Sequence, residues 1–152
     1  MTSEANTNPV VIGKDRIQQL IPHSGRMCLL DHARSFDHQG IICIATSHRL
    51  QTNPLRENNM LHSVCGIEYA AQAMALHGAL ISSPPSKTPR AGRLAGIRSV
   101  EFVVSRLDDI QEDLEIYATQ LLGDENSMVY EFTIKISNQV LLNGKATVVL
   151  IS

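Results

Sequence analysis

Glu68 and Gln72 stand four residues apart in a stretch otherwise made of small and aliphatic side chains, Gly66-Ile67-Glu68-Tyr69-Ala70-Ala71-Gln72-Ala73-Met74. On a helix that spacing places both on one face, where the amide can hydrogen-bond the carboxylate. The carboxyl would fall in the first turn, beside unpaired backbone N–H groups and the positive end of the helix dipole, both of which favour an anion. Burial pulls the other way and raises a carboxyl pKa, so the protonation state of such a group is tunable. Sequestering a carboxylate with no use for it costs several kcal/mol unless partners are supplied. The chemistry it suits is proton transfer, as a general acid or base. The plain alternative is a capping glutamate, since acidic residues are favoured in first turns.

Six histidines supply the imidazoles. His62 lies six residues before Glu68, His23 follows Pro22 in a turn, and His48 precedes a polar irregular stretch. These three are the candidates if the chemistry needs a base. His23 equally fits a structural turn and His62 a surface loop. His77 reads as a satisfied core or interface histidine, and His32, His38 and His48 flank strands and read as solvent-facing. The three cysteines, Cys28, Cys43 and Cys65, are odd in number and follow no pairing pattern. They read as reduced, mostly buried thiols of a cytoplasmic protein. No His, Cys, Asp and Glu set has zinc spacing. Ser63 lacks the Gly-x-Ser-x-Gly elbow, and Gly92 with Gly96 makes no phosphate loop.

The elements that must hold these residues follow from periodicity. At 152 residues, 43% hydrophobic and a formal charge of -2, the chain fits one domain with an aliphatic core and no nucleic-acid partner. Residues 1–8 read as flexible, without the layout of a secretory signal. No apolar run approaches the ~20 residues of a membrane span. A short helix is expected over 14–20, closed by Pro22. Strands are expected over 27–30 and 41–45, joined by a turn at 37–40. Residues 64–81 read as a helix apolar on nearly every side. A proline-rich basic loop follows over 82–93, with Lys87, Arg90 and Arg93. Strands are then expected over 95–104, 114–122, 128–136 and 139–151. Met128, Tyr130, Phe132, Ile134 and Ile136 form the inward face of the third of these. A kink or bulge is expected at Asn143-Gly144. A helix apolar all round needs something wrapped around it, so the architecture is α+β, a curved antiparallel β-sheet enclosing one long buried central helix.

The Glu68 stretch resembles the central-helix motif of hot-dog-fold dehydratases, in which Glu is followed by small residues and Gln four places on. Ile21-Pro22-His23-Ser24-Gly25-Arg26-Met27-Cys28-Leu29-Leu30-Asp31 is similar to the Leu-Pro-His…Leu-Leu-Val-Asp segment that opens the fatty-acid-synthesis dehydratases. The two motifs keep nearly the separation found there, and with the strand pattern the likeness spans almost the whole chain. It is closest to the dehydratase-like subgroup associated with aryl-polyene-type pigment clusters.

The resemblance implies a 3-hydroxyacyl-(acyl carrier protein) dehydratase acting in fatty-acid or polyene-type lipid biosynthesis. It needs no cofactor beyond the phosphopantetheine that carries the substrate. Acyl carrier protein would be a partner, met by Arg93 and its basic neighbours Arg56, Lys87 and Arg90. The chain would form a homodimer or higher oligomer, or a heterodimer with another hot-dog protein. Glu68 matches the acid. Backbone donors from Ser63 to Gly66 would face the thioester carbonyl, with Asn53, Gln72 and Arg93 as further substrate contacts. The departure is the base: where relatives carry Gly-His-Phe-Pro, this chain has Asn53-Pro54-Leu55-Arg56. His62 or His23 must then serve. The alternatives are a hot-dog thioesterase, in which Glu68 activates water, and a non-catalytic subunit of a composite site.

Overall fold

The computed structural model describes residues 11–21, 25–82 and 91–151, the side chains of residues 91 and 151 excepted. Its strands are β1 (His32–Phe36), β2 (Gly40–Ala45), β3 (Ala91–Phe102), β4 (Leu114–Gly123), β5 (Ser127–Ile136) and β6 (Gln139–Ile151). They form one antiparallel sheet in the order β1-β2-β4-β5-β6-β3. The helices are α1 (Lys14–Leu20) and α2 (Gly66–Ile81).

Alternation decides the inner face. Met128, Tyr130, Phe132, Ile134 and Ile136 are all buried, as the period-two pattern predicts. Leu114, Ile116 and Ala118 of β4 and Ile41, Cys43 and Ala45 of β2 continue that layer. Against it lies α2, every residue of which is buried or half-buried. A 3-10 turn, Ser63–Cys65, runs into α2 without a break, so the helical rod spans Ser63–Ile81. By length and composition that rod could cross a membrane, contrary to the expectation that no such segment exists. In this fold it is the core helix.

Three details differ from expectation. Residues 28–30 join no ladder; the strand begins later, at His32. Hydrophobicity pointed to Met27–Leu30 because those side chains are apolar, whereas β1 carries His32, Arg34 and Ser35. The β6 ladder to β5 runs unbroken through Asn143 and Gly144. The irregularity sits instead on β3 between Arg98 and Glu101, where Ser99 has φ of 54°. Gly144 is needed for closeness: a Cβ there would lie 2.8 Å from Val100 Cγ2 and 3.0 Å from Phe132 Cζ. Finally, His48 is fully buried, not solvent-facing, and its Nε2 donates to the Glu112 carbonyl at 2.9 Å.

The two sheet edges are unlike. The outer edge of β1 is covered by Val11 and Ile12, whose backbone bonds Ala33. The outer edge of β3 pairs with no strand among the described residues. On β3 and just beyond, Leu94, Ile97, Phe102 and Val103 are exposed, Val103 to 61%.

Candidate functional site

Glu68 sits half-buried near the start of α2, and Gln72 one turn on donates from Nε2 to its Oε2 at 3.2 Å. The same nitrogen donates to the Met27 carbonyl at 2.8 Å, and Leu29 N–H donates to Oε1 at 2.9 Å. Gln72 is fully buried. Its two amide hydrogens and its oxygen are therefore all committed. Gln72, expected as a substrate contact, here bonds the Glu68 carboxyl and holds the 27–29 segment to the helix.

Asn53 is likewise a structural residue. Its Nδ2 donates to the Ser47 carbonyl at 2.9 Å and to Tyr69 Oη at 3.0 Å, while its oxygen accepts from Leu55 N–H. Ser47 Oγ lies 2.8 Å from the Leu29 carbonyl, which can only accept, so the hydroxyl donates there. Tyr69 must then donate to Ser47 Oγ across 2.7 Å. Every proton in this buried trio has a place, and none is left for a substrate. Burial pushes the Tyr69 phenol up from its ordinary pKa. Asn53 occupies the region where relatives carry histidine, and here it ties the 47–55 loop to the turn of α2 that bears Glu68.

The helix start is tighter than expected. Ser63 N–H donates to the Ser105 carbonyl at 3.0 Å, Cys65 N–H to His62 and Gly66 N–H to Ser63. Three of the four expected donors are thus spent on the 3-10 turn and its neighbour, the fourth being Val64 N–H. Gly66 serves packing: a Cβ would meet Leu142 Cδ2 at 2.9 Å and Ile134 Cδ1 at 3.2 Å. His62 is exposed and bridges backbone-to-backbone with Arg106. With Ser63, Val64 and residues 102–105 it lines an open groove of about 540 Å³.

The remaining expected residues are scattered. His23 lies outside the described residues, as do Lys87 and Arg90. Arg93 is exposed on β3 opposite Val149, on the solvent side of the ladder, and does not join the Glu68 cluster. A smaller cavity of about 150 Å³ lies beside the site segment, lined by Lys14, Arg26, Cys28, Ser47, Asn53 and others. Burial pushes the Cys28 thiol up, with Lys14 opposing, and carries Cys43 to about 12. Among the described residues no cluster of three or more His, Cys, Asp or Glu could hold a metal. Sequence reasoning missed Ser47, Tyr69 and Lys14. Only Tyr69 had a signal, its place inside the Glu68 motif.

One core helix gripped by a curved antiparallel sheet, with an amide-oriented carboxyl near its start, defines a hot-dog protein. A family model for ApeP dehydratases matches residues 15–151, and the chain belongs to that ApeP-like dehydratase family. Comparison with curated protein sequences finds no match. Among solved structures the chain is similar to the dehydratase heterocomplex ApeI:P from Xenorhabdus doucetiae, with TM-score 0.78 and 23% identity over 90% of this chain and 91% of that one. A mutant thioesterase from Pseudomonas aeruginosa matches at TM-score 0.58 and 8% identity, covering 79% and 80% of the two chains. A hypothetical thioesterase with coenzyme A from Streptococcus pneumoniae matches at 0.57 and 11%, covering 79% and 84%. At these identities the likeness is one of fold.

Proposed function

We propose that this chain is a dehydratase subunit acting on 3-hydroxyacyl thioesters carried by acyl carrier protein in aryl-polyene-type synthesis, with Glu68 as its acid. The observation that carries this is Gln72, buried and fully committed, aiming an amide hydrogen at the Glu68 carboxyl. In the reaction a base removes a proton from C2, Glu68 protonates the 3-hydroxyl, the C3–O bond breaks, and a 2-enoyl thioester and water leave. No cofactor takes part beyond the substrate's phosphopantetheine. A cytoplasmic location, where the three thiols stay reduced, suits this role.

Completion by a second hot-dog chain is part of the reading. Asn53 supplies no imidazole, so the base falls to His62, His23 or a group across the groove. The open edge of β3 and its exposed apolar residues suit a partner sheet there. The ApeI:P structure, a dehydratase heterocomplex, is consistent with such a pairing.

The test is hydration of a 2-enoyl thioester, followed by loss of enoyl absorbance, for the chain alone and with a co-encoded hot-dog partner. Glu68→Gln is expected to lower turnover at least about 100-fold, the usual range for a lost general acid. Full activity in that variant rules the acid assignment out. Release of thiol from a saturated acyl thioester, abolished by the same change, would favour hydrolysis instead.

A further inference from the structure

The segment Met27–Leu30, which leaves the 3-10 turn Gly25–Met27, belongs to no ladder, yet it passes over the face of α2 that carries Gln72. Side chains from three elements hold its backbone. Gln72 takes the Met27 carbonyl and the Leu29 N–H. Ser47 takes the Leu29 carbonyl. Lys14, from the first turn of α1, donates from Nζ to the Cys28 and Leu30 carbonyls, each at 3.3 Å. Of these three it alone is charged, and hydrogen bonds from an ionised donor are the stronger kind. Backbone bonds hold the stretch at its two ends, Cys28 N–H to the Gly25 carbonyl at 3.1 Å and Asp31 N–H to the Ile44 carbonyl at 2.8 Å; between them its carbonyls find no strand partner and rely on those side chains.

We propose that Lys14 is a positioning residue for the carboxyl site: its ammonium clamps the 28–30 backbone in the register that lets Gln72 hold Met27, Leu29 and Glu68 together. The proposal rests on the reading of Glu68 as the acid. The route is a chain of contacts, Lys14 to the carbonyls, the segment to Gln72, and Gln72 to the carboxyl. Without the ammonium, one anchor on each side of Leu29 is gone. The segment then shifts relative to α2, and the Gln72 amide divides its hydrogens differently. The effect belongs to the chemical step, because Lys14 makes no substrate contact of its own in this scheme.

The experiment compares wild type with Lys14→Met, Lys14→Gln and Lys14→Arg, each assayed with the hot-dog partner if turnover requires it. Two readouts are taken: the kcat against KM split in enoyl hydration, and amide hydrogen exchange at Leu29, with Leu107 as the control. In Lys14→Met, kcat is expected to fall about tenfold to a hundredfold with KM nearly unchanged, the scale of a small misplacement. Leu29 exchange is expected to quicken about tenfold or more while Leu107, bonded to Leu61, stays put. Lys14→Arg, which keeps the cationic donor, should recover most of both. Should Lys14→Met not fold, Lys14→Gln carries the same expectation. Unchanged kcat with unchanged Leu29 exchange overturns the clamp. So does a loss of kcat that Arg does not rescue while Leu29 exchange stays at the wild-type rate. The exchange readout needs no turnover, so a wild type silent in the hydration assay counts against the dehydratase reading and leaves the clamp separately decided.

Discussion

Tyr69 shows how much a single hydroxyl can organise. It donates to Ser47 and accepts from Asn53, and all three side chains are fully or nearly buried. Tyr69→Phe would leave the Asn53 hydrogen and the Ser47 lone pair unmatched in the interior. The expected loss is about 1–3 kcal/mol, the usual cost of an orphaned buried polar group. Urea denaturation at neutral pH measures it, and a variant as stable as wild type would mean water replaces the hydroxyl. The same residue bears on chemistry through its neighbour: if the trio holds the turn of α2 that carries Glu68, Tyr69→Phe should also reduce hydration turnover, though far less than Glu68→Gln. Residue by residue, then, Gln72 bonds the Glu68 carboxyl directly, while Tyr69, Ser47 and Asn53 spend their hydrogen bonds on one another and on nearby backbone.

At the scale of elements, two buried histidines fasten parts that the ladder does not. His77, on the second half of α2, lies with Nε2 2.8 Å from the Asp37 carbonyl and Nδ1 2.6 Å from Tyr130 Oη. The carbonyl can only accept, so Nε2 holds the proton and the phenol donates to Nδ1. His48 ties the 47–49 turn to Glu112. Next to it Arg49 reaches Gln111 and Asp113, so the 111–113 end of the loop before β4 is held. Burial lowers the pKa of both imidazoles below the ordinary histidine value. The neutral forms are thus favoured in the fold, and the unfolded chain binds more protons. The stability these histidines contribute is whole above about pH 6.5 and is lost as pH falls from there toward their lowered folded values. Unfolding free energy measured at pH 7 and pH 5 should therefore drop, and His77→Gln should shrink the difference. A difference of unchanged size in that variant would exclude His77 as a source.

For the molecule as a whole, the contrast between the two sheet edges matters most. One is closed by residues 11 and 12, and the other, along β3, pairs with no strand among the described residues and has Ile97 and Phe102 exposed. A long open edge invites another strand. If a second hot-dog chain completes the site there, Ile97→Asp should weaken association with it, seen as a shift toward the single chain in light scattering after gel filtration. Enoyl hydration should fall in parallel while the isolated chain keeps its melting temperature. Association unaffected by the substitution would place the partner elsewhere. The groove of His62, Ser63 and Val64 against residues 102–105 continues that edge to the start of α2. A partner on β3 would therefore reach toward the Glu68 end of the rod.

How much of this was legible beforehand differs by feature. The central helix, the inward face of β5 and the Glu68–Gln72 pairing follow from local rules: helical spacing, strand alternation and hydrophobicity act over a few residues and survive any arrangement of the rest. The family likeness drew on the same stretches. Local rules do not say which backbone groups a side chain will satisfy from 14 to 64 positions away. Lys14 on Cys28 and Leu30, Gln72 on Met27 and Leu29, and His48 on Glu112 are contacts of that kind. They turned an apolar run that reads as a strand into a side-chain-held strip, and a histidine that reads as exposed into a buried strut. They also committed both amide hydrogens of Gln72, one to the Met27 carbonyl and one to the Glu68 carboxyl, and a hydrogen already given within the protein is no longer available to a ligand. The sequence by itself determined the rod, the pleat and the lone acid. Only the tertiary structure decided which polar atoms remain unspent, since that depends on what folding brings beside them.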